Sequence, residues 1–230
     1  MGIQERKERE KEARKEEILS AAIGVFSERS LSDATMDEIA EKAELSKGTL
    51  YLYYKSKEDL YLEFIHHGMK TLLQMFEVIA TSNKSTLEKI IALGDVYNAF
   101  FREHRPLFRS FHYFSNPQFQ LNASEEMKNQ CAVQSDQLWN MVTDMFQDAQ
   151  EKGLIRKDID PRETGVIFWS SSNALLMRID YEDERWKTLH GIDLRKTLEL
   201  SNRLLFESIL TPEGKALFKK LPSRKQEHAS

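Results

Sequence analysis

The residues of this chain that are best suited to chemistry lie together between Ser46 and Lys57. This segment, SKGTLYLYYKSK, carries three lysines, several hydroxyl groups and no carboxylate. Ammonium and hydroxyl donors at this density suit the phosphates of a nucleic-acid backbone. The whole chain carries a net charge of −4 at pH 7, which alone argues against a nucleic-acid binder. Because phosphate binding needs only a local basic patch, the segment keeps that function open.

The remaining sequence shows no group of residues typical of an enzyme. The single cysteine, Cys131, has no histidine nearby, so we interpret it as a packed or idle thiol. His66 and His67 are adjacent and do not form the i, i+4 pair of a helical metal site. No Gly-rich phosphate loop and no nucleophile paired with a base stand out. We therefore predict no enzyme activity, no cofactor and no metal site.

Short helices with marked starts position the basic segment. Thr35 is a predicted N-cap, and Glu38 completes a capping box for a helix over Met36–Ala43. Ser46 and Ser56 are further predicted N-caps, which start a second short helix and then a long one. This order of elements is the form of a helix-turn-helix, whose second helix lies in a DNA major groove.

Long amphipathic helices account for the rest of the chain. With 9 glycines, 5 prolines and no lasting strand alternation, the predicted fold class is all-α. We expect a first helix to about Arg29, a polar break at 30–33, and a helix interrupted or started by Pro106. Later helices are expected at about 57–80, 87–101, 109–116, 124–153, 161–180 and 193–210. No secretory signal and no run of eighteen apolar residues is found, so we expect a soluble, cytoplasmic protein without membrane contact.

From its first helix to about Leu60, the chain resembles the tetracycline-repressor (TetR) family of transcriptional regulators. LSKGTLYLYYKSKEDL is similar to that family's recognition helix and following turn, and ATMDEIAEKA is similar to its supporting helix. The family usually has glycine in the turn where this chain has Glu44. Since positive φ strains a residue other than glycine, we expect either a strained Glu44 or a slightly different turn.

The resemblance implies contact with a double-stranded DNA operator. Lys47, Thr49 and Tyr51 would approach base edges or nearby phosphates, and Gly48 would permit close approach of the backbone. The predicted DNA-contact residues are Thr35, Ser46, Lys47, Gly48, Thr49, Tyr51, Tyr53, Lys55 and Lys57. Lys55 and Lys57 could instead be solvated. The first seventeen residues could form a solvated helix or an arm that reaches DNA.

The resemblance also implies a larger helical domain that binds a small effector and forms a homodimer through its last two long helices. Leu198, Leu205 and Ile209 form a stripe that a dimer would cover, with internal packing as the alternative. Aromatic side chains suggest an apolar or aromatic effector with Tyr97 and His112 as polar anchors, although such stripes are more often core. The predicted ligand-binding residues are Phe76, Tyr97, Phe101, Phe108, Phe111, His112, Trp139 and Phe168.

Taken together, the sequence predicts a ligand-responsive DNA-binding transcriptional regulator. As a repressor it would release a palindromic operator when its effector binds, although the same parts would serve an activator. A helical protein–protein adaptor is the further alternative. The predicted domains are a three-helix DNA-binding domain at 1–57 with its motif at about 36–55, an effector-binding and dimerisation domain at 58–212, and a polar tail at 213–230.

Overall fold

The protein is predominantly helical over the residues that the computed structural model describes, which are 2–29, 33–114 and 121–221. This confirms the predicted all-α class. The break predicted at 30–33, the helix end predicted at Asn116-Pro117 and the tail beyond residue 221 lie wholly or largely outside these ranges. The described helices are α1 (Ile3–Glu28), α2 (Met36–Lys42), α3 (Lys47–Tyr53), α4 (Lys57–Ala80), α5 (Thr86–Glu103), α6 (Arg105–Phe114), α7 (Glu125–Glu151), α8 (Pro161–His190), α9 (Leu194–Ile209) and α10 (Pro212–Phe218).

The three predicted helix caps around the basic segment are confirmed. The Thr35 hydroxyl accepts from the Glu38 amide at 3.2 Å, and the Glu38 carboxylate accepts from the Thr35 amide at 3.0 Å. The Ser46 hydroxyl accepts from the Thr49 amide at 3.1 Å. The Ser56 hydroxyl caps α4 in the same way. These bonds satisfy amides that have no partner within their own helix, so the helix starts are fixed locally.

Helix α8 continues well beyond its predicted end at Asp180. It runs to His190 and stops at Gly191, whose φ of 65° is the left-handed conformation of a C-terminal glycine. No glycine or proline interrupts the added turns, and the Glu182 carboxylate accepts from Arg178 and Trp186, one turn away on either side. The prediction ended too early because apolar periodicity fades before the helix does.

Helices α6 and α10 each have a proline in their first turn. Pro106 lies in the first turn of α6, so it starts that helix rather than interrupting α5. Pro212 opens α10 behind the Thr211 cap, so the predicted tail is helical as far as Phe218. Gly214 packs directly against the Leu154 backbone, where a Cβ would overlap the carbonyl oxygen.

The first compact unit comprises Met1–Leu72 and Arg102–Asp136. Its core includes Ile18 of α1, Leu50 of α3 and Phe64 of α4, all almost fully buried. The ring of Phe26 contacts those of Tyr61 and Phe64 at centroid distances of 4.8 and 6.1 Å. The start of α4 therefore packs against α1, and Lys57 lies within the first unit rather than at its edge.

The second compact unit comprises Leu73–Phe101 and Gln137–Ser230. Helices α8 and α9 pack together, with the Ser171 and Ser201 hydroxyls 2.9 Å apart and Ser172 donating to Asn202 at 3.0 Å. Gly165 lets α8 approach α7 closely, because a Cβ there would lie 3.1 Å from Val142.

The apolar stripe predicted for a dimer packs mainly inside the chain. Leu198 and Ile209 are buried and Leu205 is half-buried within the single chain. The internal-packing alternative therefore holds for this stripe, because the apolar face of α9 turns toward its neighbouring helices. A different pair on α9, Leu200 and Leu204, is exposed to 45% and 57%.

Candidate nucleic-acid interface

The turn between α2 and α3 is a hydrogen-bonded helix end with Glu44 in the left-handed conformation. The φ of Glu44 is 56°, and it is the one positive-φ residue other than glycine within the described part of the chain. The Leu45 amide donates to the Ala40 carbonyl at 2.9 Å, and the Glu44 amide donates to the Glu41 carbonyl at 3.0 Å. This pair of bonds defines a Schellman motif, whose left-handed position is usually glycine. Of the two expectations for Glu44, the strained backbone is the one found.

Helix α3 has one buried face and one open face. Leu50 is fully buried and lies beside the core that Ile39 and Ala40 of α2 form. On the open side, Tyr51 is 44% exposed, Lys47 and Gly48 are exposed, and Thr49 is half-buried. The helix is therefore anchored through its apolar face and presents ammonium and hydroxyl groups to solvent.

Lys47 forms an ion pair with an acidic residue that lies outside the basic segment. Its ammonium lies 2.6 Å from the Asp37 carboxylate, which α2 brings beside the start of α3. The hydrogen bond that Lys47 donates to Asp37 raises the pKa of Lys47 above its ordinary value, so the amine is charged at neutral pH. In the folded protein, the basic segment therefore has less net positive charge around it than its sequence alone indicates.

Gly48 has no packing reason to be glycine. A Cβ there would meet only the Ser46 hydroxyl, at 3.8 Å, which is an ordinary contact. Glycine inside a helix costs about 0.5–1 kcal/mol relative to alanine. The open space above Gly48 is what close approach of another molecule would need.

Leu52 is a surface residue of α3 that the sequence analysis did not single out. Its side chain is 83% exposed, more than any other large apolar residue of the described chain. Apolar side chains in the major groove contact the methyl group of thymine. The sequence did contain a signal for this exposure. Leu52 directly follows Tyr51 and does not have the helical spacing that would bury it together with Leu50.

The other predicted contact residues surround this face. Thr35 and Ser46 are exposed while their hydroxyls cap α2 and α3. The Lys57 ammonium donates to the Ala34 carbonyl at 3.2 Å, so it links α4 to the start of α2. Lys55 is exposed and Tyr53 is half-buried.

Tyr54 belongs to the core rather than to the open face of α3. It is 3% exposed, and burial raises the pKa of its phenol. Its hydroxyl has no hydrogen-bond partner among the described residues.

The predicted effector residues fall in both compact units. In the first unit, Phe108 is buried, Phe111 is half-buried and His112 is exposed. Phe111 packs against Gly68 of α4, where a Cβ would lie 3.0 Å from its ring. Phe76, Tyr97, Phe101, Trp139 and Phe168 belong to the second unit.

A polar cluster around Tyr97 joins α5 and α8 of the second unit, and a ring contact extends it to α7. The Tyr97 hydroxyl donates to the Asn173 side-chain oxygen at 3.0 Å and accepts from the Trp169 indole nitrogen at 3.2 Å. Burial raises the pKa of Tyr97, which keeps the phenol neutral. The Trp169 ring meets the Trp139 ring edge-on at 5.7 Å, and Phe168 contacts Phe146 at 5.6 Å. Trp169 and Asn173 were not among the predicted residues; the amide of Asn173 amid the small and apolar residues of α8 was the available signal.

The reactive side chain outside this interface, the Cys131 thiol, is explained by packing. Cys131 is buried and its thiol donates to the Leu62 carbonyl at 3.4 Å, while burial raises its pKa to about 12. The thiol is therefore protonated and inaccessible at neutral pH. Within 2–29, 33–114 and 121–221, no cluster of three or more histidine, cysteine or acidic side chains is arranged to hold a metal ion. Over the same residues, no helix is both long and apolar enough to span a bilayer.

Comparison with known proteins agrees with this geometry. Residues 18–64, which include α2, α3 and the turn between them, match the family described as "Bacterial regulatory proteins, tetR family". The curated relatives are transcriptional regulators rather than enzymes. Residues 18–64 are therefore a segment of the TetR type.

Named relatives match the chain to different extents. The HTH-type transcriptional repressor KstR2 of Mycolicibacterium smegmatis is 32% identical over 81 residues, covering 35% of this chain and 40% of that protein. The HTH-type transcriptional regulator UidR of Escherichia coli is 28% identical over 169 residues, covering 72% of this chain and 81% of that protein. The match to the first of these spans less than half its length.

Among solved structures, the fold extends to nearly whole chains. FadR from Bacillus subtilis in complex with stearoyl-CoA superposes with a TM-score of 0.67 at 18% identity, covering 84% of this chain and 98% of that one. FadR from Thermus thermophilus in complex with lauroyl-CoA gives 0.59 at 21% identity, covering 94% and 99%. At these identities the likeness concerns the fold.

Proposed function

We propose that this chain is a homodimeric transcriptional repressor that releases a palindromic operator when a small apolar effector binds. The observation that carries the proposal is the open face of α3. That face presents Lys47, Thr49, Tyr51 and the exposed Leu52 around Gly48, whose missing side chain leaves room for a DNA backbone or base edge. A helix anchored by Leu50 behind it is rigid enough to read a groove.

Each class of side chain on this face has a role in the proposal. The Lys47 ammonium and the Thr49 and Tyr51 hydroxyls bind base edges or adjacent phosphates. Thr35, Ser46 and Tyr53 lie around the helix and donate to phosphates, with Lys55 and Lys57 supplying charge. Leu52 adds an apolar contact suited to a thymine methyl group. The operator is then read by shape and direct contact more than by bulk attraction, in keeping with the net charge of −4.

The second copy in the proposed homodimer packs on an exposed face of α8 and α9. On α9, Leu200 and Leu204 lie one turn apart and are exposed. On α8, Ile167, Ala174 and Tyr181 follow i, i+7, i+14 spacing and are also exposed. Two helices with such a face form a symmetric four-helix interface when a second copy packs on them. One recognition helix from each copy then meets one half of a palindrome.

The proposed effector is apolar with a polar end. Phe76 and Phe101 are buried aromatic residues of the unit that holds the Tyr97 cluster. Two proteins of the same fold were solved with stearoyl-CoA and lauroyl-CoA. A long-chain acyl-CoA is therefore the first effector to test. Its binding would favour a conformation whose recognition helices are wrongly spaced for the operator.

The DNA-binding half of the proposal is tested with duplexes that the purified chain selects from a random pool. We expect the Lys47→Ala/Tyr51→Ala variant to lose binding to the selected duplex in a gel-shift assay while light scattering still reports a dimer. The Lys70→Ala/Val78→Ala variant, which removes an exposed amine and an exposed apolar side chain from α4, is the control and should bind normally. Unchanged affinity of the α3 variant would contradict the proposal.

Two further outcomes separate the alternatives. If the wild-type chain selects no duplex and shows no salt-dependent binding to DNA, the adaptor function replaces the repressor. For the effector, stearoyl-CoA should release the selected duplex at concentrations where free CoA has no effect. Equal effects of the two compounds, or none, would exclude long-chain acyl-CoA as the effector.

A further inference from the structure

The first four turns of α1 extend the helix away from its own core. Residues 4–13 are all exposed, and full burial begins only at Ile18. We name residues 2–17 the N-terminal arm. The family match begins at residue 18, so the arm lies outside the matched residues. Side-chain pairs along it, such as Arg6 with Glu10 at 2.7 Å, support the helix in the absence of packing.

One face of the arm continues the buried stripe of α1 with cations. Lys7, Lys11, Arg14, Ile18 and Val25 follow i, i+4, i+7, i+11, i+18 spacing, which places them on one side of the helix. Ile18 and Val25 are buried against the core. The same side of the helix therefore turns from apolar to basic where it leaves the core. A helix face directed at protein would stay apolar, whereas a basic one suits an anionic surface.

The cationic face lines a groove shared with the recognition helix. Lys7, Lys11 and Arg14 form one wall of a concave surface of about 490 Å³, and Tyr53 of α3 forms part of the other. Two acids also line it. Glu10 accepts from Arg6, and Glu17 accepts from Arg14 at 2.5 Å, so each is already neutralised by a neighbour.

Lys7 and Lys11 supply the groove's uncompensated charge. Within the described part of the chain they make no ion pair, and both are exposed. A phosphate bound to the Tyr53 hydroxyl would lie in the same groove as these two ammonium groups.

We propose that the N-terminal arm binds the phosphate backbone of DNA beside the recognition helix, with Lys7 and Lys11 as the contacting residues and Tyr53 at the shared edge. The inference rests on the proposed DNA-binding function and adds a second contact surface to it. Since backbone contacts carry no sequence information, the arm adds affinity and salt dependence without changing which sequence is preferred.

The test compares two double variants of the full chain that lose the same charge. Lys7→Gln/Lys11→Gln removes the groove cations. Arg9→Gln/Lys70→Gln removes one cation from the opposite side of the arm and one from α4, both exposed. Lysine, arginine and glutamine have similar helix propensities, so both variants should keep the wild-type circular dichroism spectrum. Binding to a fluorescein-labelled duplex of random sequence is followed by anisotropy across a salt series.

We expect the groove variant to reduce the salt slope by about two per bound protomer and to bind about tenfold more weakly at moderate salt. The control variant should match the wild type. Equal behaviour of the two variants, whether both weaken or neither does, would overturn the role of the arm while leaving wild-type binding intact. Absence of salt-dependent binding by the wild-type chain would instead overturn the proposed function itself.

Discussion

Replacing Glu44 by glycine should stabilise this protein. The side chain of Glu44 is exposed, so its loss removes no packing. Its φ of 56° is a conformation that costs a residue with a Cβ about 1–2 kcal/mol. Glycine removes that strain but adds about 0.4–1 kcal/mol of unfolded-state entropy. The net expectation is a gain of about 0.5–1 kcal/mol in the free energy of unfolding, since both hydrogen bonds of the turn are made by backbone atoms.

Urea unfolding of the full chain measures this gain. The midpoint should rise at an unchanged m-value, and the melting temperature should rise by about 1–4 °C. Glu41→Gly is the matched control, because Glu41 is also exposed but has the ordinary helical conformation. That variant should lose about 1 kcal/mol. If both glycines destabilise the protein equally, Glu44 is not strained and our account of the turn is wrong.

Four other substitutions test separate features. Gly48→Ala should raise the free energy of unfolding by about 0.5 kcal/mol in urea while weakening binding to the selected duplex; unchanged binding would remove the reason for glycine there. Gly214→Ala, which drives a Cβ into the Leu154 carbonyl oxygen, should lower stability by about 1–3 kcal/mol in urea, and a neutral result would show that α10 shifts freely. Tyr54→Phe removes a buried hydroxyl without a described partner and should raise stability by about 1 kcal/mol; a loss would reveal a hidden partner. Leu204→Glu should yield monomers in light scattering, and a persistent dimer would place the interface elsewhere.

Local signals predicted the helix starts because they depend on neighbouring residues. Thr35, Ser46 and Ser56 cap their helices with bonds that span three residues, so the sequence contains all that determines them. The left-handed backbone of Glu44 was one of two outcomes expected from the glycine that the resembled family usually has at this position. A resemblance over contiguous residues was sufficient to predict the helix-turn-helix, since the turn and both of its helices lie within that stretch.

Features that depend on distant residues were not predictable in the same way. Leu198 and Leu200 differ by two residues, yet one is buried and the other exposed, and only the direction from which α8 approaches α9 decides between them. The partners of Tyr97 come from a helix more than seventy residues away. Leu52 was overlooked because an apolar residue suggests a core position until the helix is placed in space.

The ion pair between Lys47 and Asp37 changes how a DNA titration of this protein should be interpreted. When a phosphate takes the ammonium of Lys47, one cation leaves the DNA, but the carboxylate of Asp37 is set free close to the duplex. That carboxylate attracts a cation in turn, so the net number of ions released is smaller than the number of contacts formed. A contact count derived from the salt slope would therefore omit Lys47, although this lysine lies at the centre of the proposed interface.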